Sequence, residues 1–285
     1  MRLPITKYHG LGNDFVIVNY ENVKTFNLGE LAIKVCDRHQ SIGADGLIVV
    51  KRHPLEMIYY NSDGSRAKMC GNGIRCFTQY AFDENIISSG KVHVKTLAGE
   101  LAVSIESKNP FMVKVNMGKP SFLTKDIPME INNGTFINQP LLINEKEVVL
   151  TSLSMNVTHS VLETTKFIPG EMEKIGTILQ NHPYYPQSTN VNFYKKLNNH
   201  QIKMQTFERG AGLTLACGTG ACAVYAVLHK NNLISGEVEM ILPLGSLYIT
   251  MNQKGEIMMT GPSKKIISGV IDIEITKDNR GDNNV

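Results

Sequence analysis

The sequence predicts a mixed α/β protein built from two similar halves. The motif Cys-Gly-x-Gly occurs twice, beginning at Cys70 and at Cys217, about half of the chain apart. Each copy continues into an apolar, helix-like segment, over residues 74–82 and 221–228, and short strand-like segments flank both copies. A length of 285 residues is sufficient for two domains that each bury a core of their own.

Composition and charge exclude several classes of protein. With 42% hydrophobic and 19% charged residues, the chain has the composition of an ordinary globular protein. A net charge of +3 is too small to predict binding to nucleic acid or to an anionic membrane. The first residues lack the apolar region of a signal peptide. The uncharged segment 210–228 contains several glycines and polar residues, so a short buried helix is expected there instead of a membrane span.

The cysteines indicate a reduced protein without a metal centre. Five cysteines, an odd number, in a chain without an export signal predict a cytoplasmic protein with no disulfide framework. Neither Cys70 and Cys76 nor Cys217 and Cys222 have the C-x-x-C spacing of zinc or thioredoxin-like sites, so no metal is expected. Cys36, Cys76 and Cys222 are predicted to be small core residues.

The first half alternates strands and helices. Residues 28–36 have apolar side chains at a helical spacing, and runs of valine and isoleucine predict strands. Asp14, Asp45 and Asp63 stand in turn-rich clusters and are predicted to form turns. In order, we expect two strands within 5–20, a helix over 28–36, strands over 47–50 and 57–60, the helix over 74–82, and strands over 91–96, 100–105 and 111–117.

The second half repeats this order, which predicts a duplication with pseudo-two-fold symmetry. We expect a strand over 148–155, a helix over 168–181, strands over 190–194 and 202–207, a loop over 208–212, the helix over 221–228, and strands over 236–242, 247–251 and 256–261. Gly118-Lys119-Pro120 marks a domain boundary. The predicted domains are therefore 1–118 plus 263–285, carrying Cys70, and 119–262, carrying Cys217. The polar tail 277–285 is predicted to be disordered.

Each repeated cysteine stands where a helix begins. The first backbone N–H groups of a helix lack partners, so these groups and the helix dipole favour negative charge. This environment moves the pKa of a thiol from about 8.5 towards the thiolate form. An anionic ligand group can bind the same N–H groups. Two such places, at Cys70 and Cys217, predict two thiols that face one another across a single ligand.

Seven motifs stand in the order in which one enzyme family carries them. They are His9-Gly10-Leu11-Gly12-Asn13-Asp14-Phe15, Gly43-Ala44-Asp45-Gly46, Asn61-Ser62-Asp63-Gly64-Ser65, Cys70-Gly71-Asn72-Gly73-Ile74-Arg75-Cys76, Thr189-Asn190-Val191, Glu208-Arg209-Gly210 and Ala216-Cys217-Gly218-Thr219-Gly220. In these motifs the chain resembles diaminopimelate epimerase, a family of cofactor-independent amino-acid epimerases, over essentially its whole length.

The resemblance implies a fold, a reaction and a set of site residues. It implies two α/β domains, each a curved, mostly antiparallel sheet wrapped around a central helix, with the substrate between them. It implies a reaction without a cofactor and an amino-acid substrate as the ligand. The sequence itself leaves the oligomeric state open, with a homodimer as one possibility. It assigns acid/base catalysis to Cys70 and Cys217, and the tuning of their protonation to His159 and Glu208. It implies that the substrate carboxylate binds the N–H groups of Gly71, Asn72, Gly218 and Thr219. It implies that the rest of the substrate is bound by Asn13, Asn61, Asn190, Glu208 and Arg209.

One motif departs from the family pattern. Where the family commonly reads Met-Gly-Asn-Pro-His, this chain has Met155-Asn156-Val157-Thr158-His159. The histidine is kept, but the asparagine stands one residue early. In a strand, that shift would turn the side chain of Asn156 to the opposite face, whereas a loop could compensate. Two alternatives therefore stay open: a racemase of another amino acid on the same scaffold, and a non-catalytic protein that binds an anion at the two helix N-termini.

Overall fold

A computed structural model of the chain describes residues 1–88, 90–131, 134–144 and 146–275. The tail 277–285, predicted to be disordered, lies outside these ranges. The chain divides into two compact units: unit 1 consists of Met1–Val115 and Pro262–Val285, and unit 2 of Asn116–Gly261. The predicted boundaries after residues 118 and 262 lie close to this division, and the assignment of the two units as domains stays a prediction.

The helices begin where the sequence supplies a cap. The side chain of Asn27 accepts a hydrogen bond from the backbone N–H of Glu30 and caps the first helix, and a proline opens the third. The helices that follow the two cysteine motifs are confirmed, each with the cysteine as N-cap. The helices are α1 (Leu28–Cys36), α2 (Gly71–Asp83), α3 (Pro169–Gln180) and α4 (Gly218–Lys230), with a 3₁₀ turn at Tyr20–Asn22.

Most strands coincide with runs of β-branched and aromatic residues. In chain order they are β1 (Arg2–Gly10), β2 (Asn13–Asn19), β3 (Gly46–Lys51), β4 (Glu56–Asn61), β5 (Arg66–Ala67), β6 (Lys91–Thr96), β7 (Gly99–Lys108), β8 (Phe111–Asn116), β9 (Gln139–Ile143), β10 (Lys146–Ser154), β11 (Thr158–Glu163), β12 (Asn190–Lys196), β13 (Gln201–Glu208), β14 (Gly212–Thr214), β15 (Val238–Leu242), β16 (Gly245–Met251), β17 (Ile257–Pro262) and β18 (Lys264–Asp272).

The two units repeat one pattern of strand pairing. In unit 1 the paired strands run β18, β1, β2, β3, β4, β6, β7, β8, with β2–β3 and β4–β6 parallel and the other pairs antiparallel. In unit 2 they run β9, β10, β11, β12, β13, β15, β16, β17 up to the unit boundary, with β11–β12 and β13–β15 parallel. In each series a short additional strand pairs with the fifth strand. This short strand is β5, which pairs with β4, in unit 1 and β14, which pairs with β13, in unit 2. The predicted duplication is therefore present in the pairing itself.

Each unit surrounds one buried helix with its sheet. Helix α2 packs on β1, β2 and β3, and helix α4 packs on β10, β11, β12 and β16. Nearly every residue of both helices is buried, as expected for helices that are covered on all sides. Unit 1 also packs α1 against a cluster that includes Leu31, Val35 and Leu47, and unit 2 packs α3 against a cluster that includes Leu179 and Phe193. The predicted mixed α/β class is confirmed.

Several elements differ from the sequence-based prediction. Strand β11 is buried although it contains Thr158, His159 and Ser160, so its polar composition concealed it. The loop predicted over 208–212 is confirmed as a turn at residues 209–211, and only its two end residues belong to β13 and β14. The prediction that Asp14 forms a turn is wrong: it lies buried in β2 and forms ion pairs with Lys7 and Arg38.

The helices in the described ranges are too short or too polar to cross a bilayer.

The packing of α3 yields a stability prediction. A Cβ atom at Gly176 would lie 2.4 Å from Cδ1 of Phe207, a core residue of unit 2, so Gly176→Ala is expected to lower the free energy of unfolding by about 1–3 kcal/mol. Gly170, in the same helix, has no atom within 4 Å of a Cβ position. Urea titrations followed by circular dichroism should therefore show Gly170→Ala unchanged or more stable by up to about 1 kcal/mol. Equal destabilisation by both variants would contradict the packing.

Candidate active site

Cys70 begins helix α2 and is joined to Asn13. The sulfur of Cys70 accepts a hydrogen bond from the backbone N–H of Gly73, with N and Sγ 3.4 Å apart. The thiol donates to Oδ1 of Asn13 at 3.6 Å. The first intrahelical hydrogen bond runs from the N–H of Ile74 to the carbonyl of Cys70. The thiol and the first backbone N–H groups of α2 therefore share one helix end.

Asn13 is held from two sides. Its Nδ2 donates to Oδ2 of Asp45 at 2.6 Å, and its Oδ1 accepts from Nδ2 of Asn72 at 3.1 Å. Because a carboxylate can only accept, the Asp45 contact fixes which end of the Asn13 amide points towards Cys70. Cys70, Asn13 and Asn72 thus form one hydrogen-bonded group, the Cys70 half-site.

Arg75 is a buried support for this group. Its side chain is fully buried, with Nη1 donating to the carbonyl of Gly71, Nη2 to Oδ1 of Asn72, and Nε to the carbonyl of Pro262. Since Asn72 Oδ1 accepts from Arg75, the Nδ2 of Asn72 is left to face Asn13. The motif containing Arg75 was recognised in the sequence, but this role was not predicted. An arginine inside an otherwise apolar helix was the available signal, because such a charge is seldom buried without partners.

Asp45 links the turn of Asn61, another predicted substrate ligand of unit 1, to the Cys70 half-site. Its carboxylate also accepts from the backbone N–H of Asp14 and from Nη2 of Arg38, and its carbonyl accepts from the N–H of Ser62. That last bond attaches the turn that contains Asn61. The Nδ2 of Asn61 donates within this turn, to Oγ of Ser65. Asp45 was predicted only as a turn former, whereas it positions a proposed substrate ligand.

Cys217 repeats the capping geometry in unit 2. Its sulfur accepts from the backbone N–H of Gly220 at 3.4 Å, and it lies 3.5 Å from Oγ1 of Thr219. Gly218 and Thr219 are the first two residues of α4. Glu208, the last residue of β13, forms a side-chain hydrogen bond with Cys217. Cys217, Gly218, Thr219 and Glu208 form the Cys217 half-site.

The expected shift of Cys217 towards the thiolate is wrong for this environment. Burial raises the pKa of the Cys217 thiol well above its usual value, and the Glu208 carboxylate raises it further. The hydrogen bonds from Thr219 and from the Gly220 N–H lower the pKa, but they do not outweigh the loss of hydration. Cys217 is therefore a neutral thiol near pH 7.

Glu208, Arg209 and Asn190 form a connected edge of unit 2. The carboxylate of Glu208 accepts a hydrogen bond from the hydroxyl of Thr214. The backbone N–H of Arg209 donates to Oδ1 of Asn190 at 2.9 Å, and Nη1 of Arg209 donates to the carbonyl of Gln187. The predicted substrate ligands Asn190 and Arg209 are thus in direct contact.

His159 is fully buried in β11. Its Nδ1 lies 3.1 Å from Nδ2 of Asn192, a residue without a predicted role. Burial lowers the pKa of His159 to about 3, so the imidazole is neutral at physiological pH.

The departing motif lies in a hairpin loop. Ser154 of β10 pairs with Thr158 of β11, and the three residues between them form the turn, closed by a hydrogen bond from the N–H of Met155 to the carbonyl of Val157. Asn156 has a φ of +64° and is exposed. The alternation of faces in a strand therefore does not apply to Asn156, because a left-handed residue in a turn breaks that alternation.

Several solved structures share the fold of this chain. A hydroxyproline epimerase from Agrobacterium vitis superposes with a TM-score of 0.70 at 13% identity, covering 95% of this chain and 91% of its own. A phenazine biosynthesis protein of the PhzF family from Bacillus anthracis gives 0.65 at 13% identity, covering 96% and 100%. At such low identity these likenesses establish the fold alone.

Sequence comparison then identifies the family. The family profile described as Diaminopimelate epimerase matches residues 5–123 and 154–266. A diaminopimelate epimerase from Halothermothrix orenii is 40% identical over 285 aligned positions, covering 96% of this chain and 99% of its own. One from Alkaliphilus metalliredigens is 39% identical over 278, covering 95% and 98%. The chain belongs to the diaminopimelate epimerase family.

The environment of Cys217 yields a prediction about thiol reactivity. Replacing Glu208 by Gln removes a negative charge that raises the Cys217 pKa, so alkylation of Cys217 by iodoacetamide at pH 8 should become several-fold faster, about tenfold per unit of pKa. Peptide mass spectrometry reads Cys217 separately from Cys70. The control is Glu239→Gln. Glu239 lies in the same unit and is hydrogen-bonded to Ser246 and Gln201, so its replacement should leave the alkylation rate of Cys217 unchanged. A slower rate in Glu208→Gln would refute the assigned sign.

Proposed function

We propose that the protein is an isomerase that interconverts LL- and meso-2,6-diaminopimelate, a step in the synthesis of lysine and of peptidoglycan precursors. The observation that carries the proposal is the repeated half-site, in which a cysteine sulfur caps a buried helix in each unit. Family membership supports the choice of substrate, because the relatives compared above are named for it.

The reaction needs a base and an acid at one carbon. One thiolate removes the α-proton while the other thiol delivers a proton from the opposite side, and the roles exchange for the other isomer. Cys70 and Cys217 are the proposed pair. Burial keeps Cys217 protonated, so Cys70 must release the proton that it donates to Oδ1 of Asn13 in order to act as the thiolate. The two protonation states belong to the pair, since each thiol alters the titration of the other. No cofactor enters this scheme.

The helix ends supply electrostatic stabilisation. Removal of the α-proton leaves negative charge that spreads onto the adjacent carboxylate. We assign that carboxylate to the N–H groups of Gly71, Asn72, Gly218 and Thr219, which precede the first intrahelical hydrogen bonds of α2 and α4. Donors already directed at the developing charge lower the barrier because they need no reorganisation.

The remaining polar residues hold the rest of the substrate. Asn13 and Asn61 in unit 1, and Asn190, Glu208 and Arg209 in unit 2, carry amide, carboxylate and guanidinium groups that suit the ammonium and carboxylate of a distal amino-acid end. His159 and Glu208 adjust the protonation of the two thiols, and Glu208 acts on Cys217 through its charge.

The proposal requires a reducing compartment. Two thiols that act on one carbon can be oxidised to a disulfide, which would stop turnover. We therefore place the enzyme in the cytoplasm.

A homodimer through β18 is part of the proposal. In the described part of the chain this strand pairs with β1, and its exposed side chains include Ile266, Ile267 and Val270, each more than half exposed. Antiparallel pairing with a second copy about Ser268 would place Lys264 opposite Asp272 and Ile266 opposite Val270. Charge and apolar surface are thus complementary to the same strand of a second chain. The occupant proposed for this edge is that second copy.

Activity and the two thiols are tested together. Reduced protein incubated with LL-diaminopimelate should form the meso isomer, resolved by chromatography. Cys70→Ala and Cys217→Ala should each lower kcat by about a hundredfold to ten-thousandfold, because each removes an obligatory proton carrier. Cys36→Ala, a buried cysteine of α1, should retain activity. Absence of the meso isomer from folded, reduced protein, or full activity in either half-site variant, would reject the proposal.

A racemase of another amino acid is the second candidate, favoured by Val157 in the departing motif. Solvent deuterium entering the α-carbon, measured across a panel of amino acids, separates the two. Exchange confined to diaminopimelate supports the first proposal, and faster exchange of another amino acid supports the second. A non-catalytic anion-binding protein predicts no exchange with any amino acid and ligand binding that survives both cysteine substitutions.

The dimer is tested by light scattering coupled to gel filtration. The wild-type chain should have about twice its monomer mass of 31.6 kDa, and Ile266→Lys should reduce this to the monomer. Ile33→Lys, an equally exposed isoleucine on α1, should remain dimeric. A monomeric wild-type protein at assay concentration would exclude the β18 interface.

A further inference from the structure

A cluster of four charged side chains in unit 1 lies behind the Cys70 half-site. Its carboxylates are Asp14 and Asp45, and its cations are Lys7 and Arg38. Nζ of Lys7 lies 2.8 Å from Oδ2 of Asp14. Nη2 of Arg38 donates to Oδ1 of Asp14 and to Oδ1 of Asp45, at 2.7 Å in both cases. Arg38 therefore joins the two carboxylates, whereas the ion pair of Lys7 is with Asp14.

The pairing of β2 with β3 brings the two carboxylates together. These strands run parallel and place Asp14 beside Asp45. The N–H of Asp14 donates to Oδ2 of Asp45, and the N–H of Asp45 donates to Oδ1 of Asp14, both at 3.0 Å. Burial alone would raise the pKa of Asp14, but hydrogen bonds from Arg38 and Lys7 outweigh burial and hold that pKa below its usual value. Two such neighbouring carboxylates repel one another unless a cation lies between them.

The loop after α1 directs Arg38 towards this cluster. Arg38 is the second residue after the helix, and the chain then folds back, with the N–H of Gly43 bonded to the carbonyl of Val35 at 3.1 Å. Gly43 has a φ of +69°, and a Cβ atom there would lie 2.8 Å from both Cα and Cγ of Arg38. The loop therefore packs closely against Arg38 and restricts the directions that its side chain can take.

Asp45 connects Arg38 to Cys70 through Asn13. Oδ2 of Asp45 accepts from Nδ2 of Asn13 at 2.6 Å, and Oδ1 of Asn13 accepts from the thiol of Cys70 at 3.6 Å. The side chain of Asp45 is 42% exposed, so its carboxylate can turn towards water when no cation holds it. An Asn13 amide released in this way would no longer keep its carbonyl on the proton that Cys70 gives up in the proposed reaction.

We propose that Arg38 is a positioning residue for Cys70. By binding Asp14 and Asp45 together, it holds Asp45 as the acceptor that orients the Asn13 amide, and this amide sets the hydrogen bonding of the Cys70 thiol. The effect on turnover rests on the proposed epimerase function, whereas the orientation of Asn13 does not. The alternative is a surface ion pair without a functional role, since the Arg38 side chain is 52% exposed and exposed pairs contribute little to stability.

The orientation of Asn13 is measured directly by NMR. Nitrogen-15 spectra of asparagine-labelled protein observe the side-chain NH₂ protons, and the Asn13 pair is assigned through the backbone of β2. Because its Nδ2 donates a short hydrogen bond to a carboxylate, one Asn13 proton should lie downfield of the other asparagine side chains in the wild type and return to their range in Arg38→Met. If Arg38→Met does not fold, Arg38→Gln, also uncharged, should give the same result. An unshifted signal in the wild type, or a shifted signal that persists in the uncharged variant, would overturn the proposal without reference to activity.

Turnover of LL-diaminopimelate tests the consequence for the reaction. In Arg38→Met, kcat/KM should fall by about tenfold to a hundredfold, because Asn13 no longer has a fixed orientation beside Cys70. Arg38→Lys keeps a cation with three donors but lacks the planar fork, so it should be at least about threefold more active than Arg38→Met and should keep the shifted Asn13 signal. An Arg38→Lys protein no more active than Arg38→Met would contradict the role assigned to the charge.

Lys34→Met is the matched control. Lys34 is an exposed cation of α1 that pairs with Glu30 at 2.9 Å, so its replacement removes an ion pair of the same unit and no contact of the cluster. It should change neither the Asn13 signal nor kcat/KM. An unaltered kcat/KM in folded Arg38→Met, or an equal fall in Lys34→Met, would refute the positioning role. Wild-type protein with the shifted Asn13 signal but without turnover would refute only the epimerase assignment.

Discussion

The hydrogen bond from a backbone N–H to a cysteine sulfur at the start of a buried helix is the constraint on which the rest of the site depends. It occurs twice, from Gly73 to Cys70 and from Gly220 to Cys217, at the same N–S distance of 3.4 Å. Because each cysteine is the cap, its sulfur is held beside the first backbone N–H groups of the helix. Glycines follow both cysteines, and at Gly220 even a methyl group would collide with neighbouring side chains. The repeated strand pairing places each of these helices inside its own sheet, so a thiol and the backbone N–H groups of a helix end are held together in both units.

Behind each sulfur lies a different polar support. In unit 1, Arg75 and Asp45 fix the amides of Asn72 and Asn13 by contacts whose donor and acceptor roles cannot be reversed. In unit 2 the corresponding support is uncharged and consists of Asn192 with its hydrogen-bond partners Thr206 and His159. Buried charges and amides of this kind are costly unless fully paired, so they specify one arrangement of the site. The proposed reaction needs one thiol and one thiolate, and supports of different charge suit such a pair.

Much of the fold could be predicted from local sequence patterns. The extents of α1 and the strand-rich segments follow from apolar periodicity, and the cysteine motifs mark the starts of α2 and α4. The contacts of Asp45 and Asn192 could not be predicted in this way. Asp45 reaches Asn13 because β2 and β3 pair in parallel, and Asn192 reaches His159 because β11 and β12 do. Such contacts depend on pairing between segments that are distant in sequence. The sign of the Cys217 pKa shift was missed for a related reason, since a motif indicates a helix end but not how completely that end is buried.

The central claim is that two separate groups exchange protons with one α-carbon. Turnover of LL-diaminopimelate in deuterated water, stopped at low conversion and examined by mass spectrometry and proton NMR, tests it most directly. The thiol that delivers hydrogen to the product has equilibrated with solvent, whereas the thiol that accepts the substrate proton faces the other side. The account predicts meso product with one deuterium at the inverted carbon and recovered substrate that keeps its own proton. Meso product that retains the original α-hydrogen would contradict it, because a single base would then have carried that hydrogen from one face to the other.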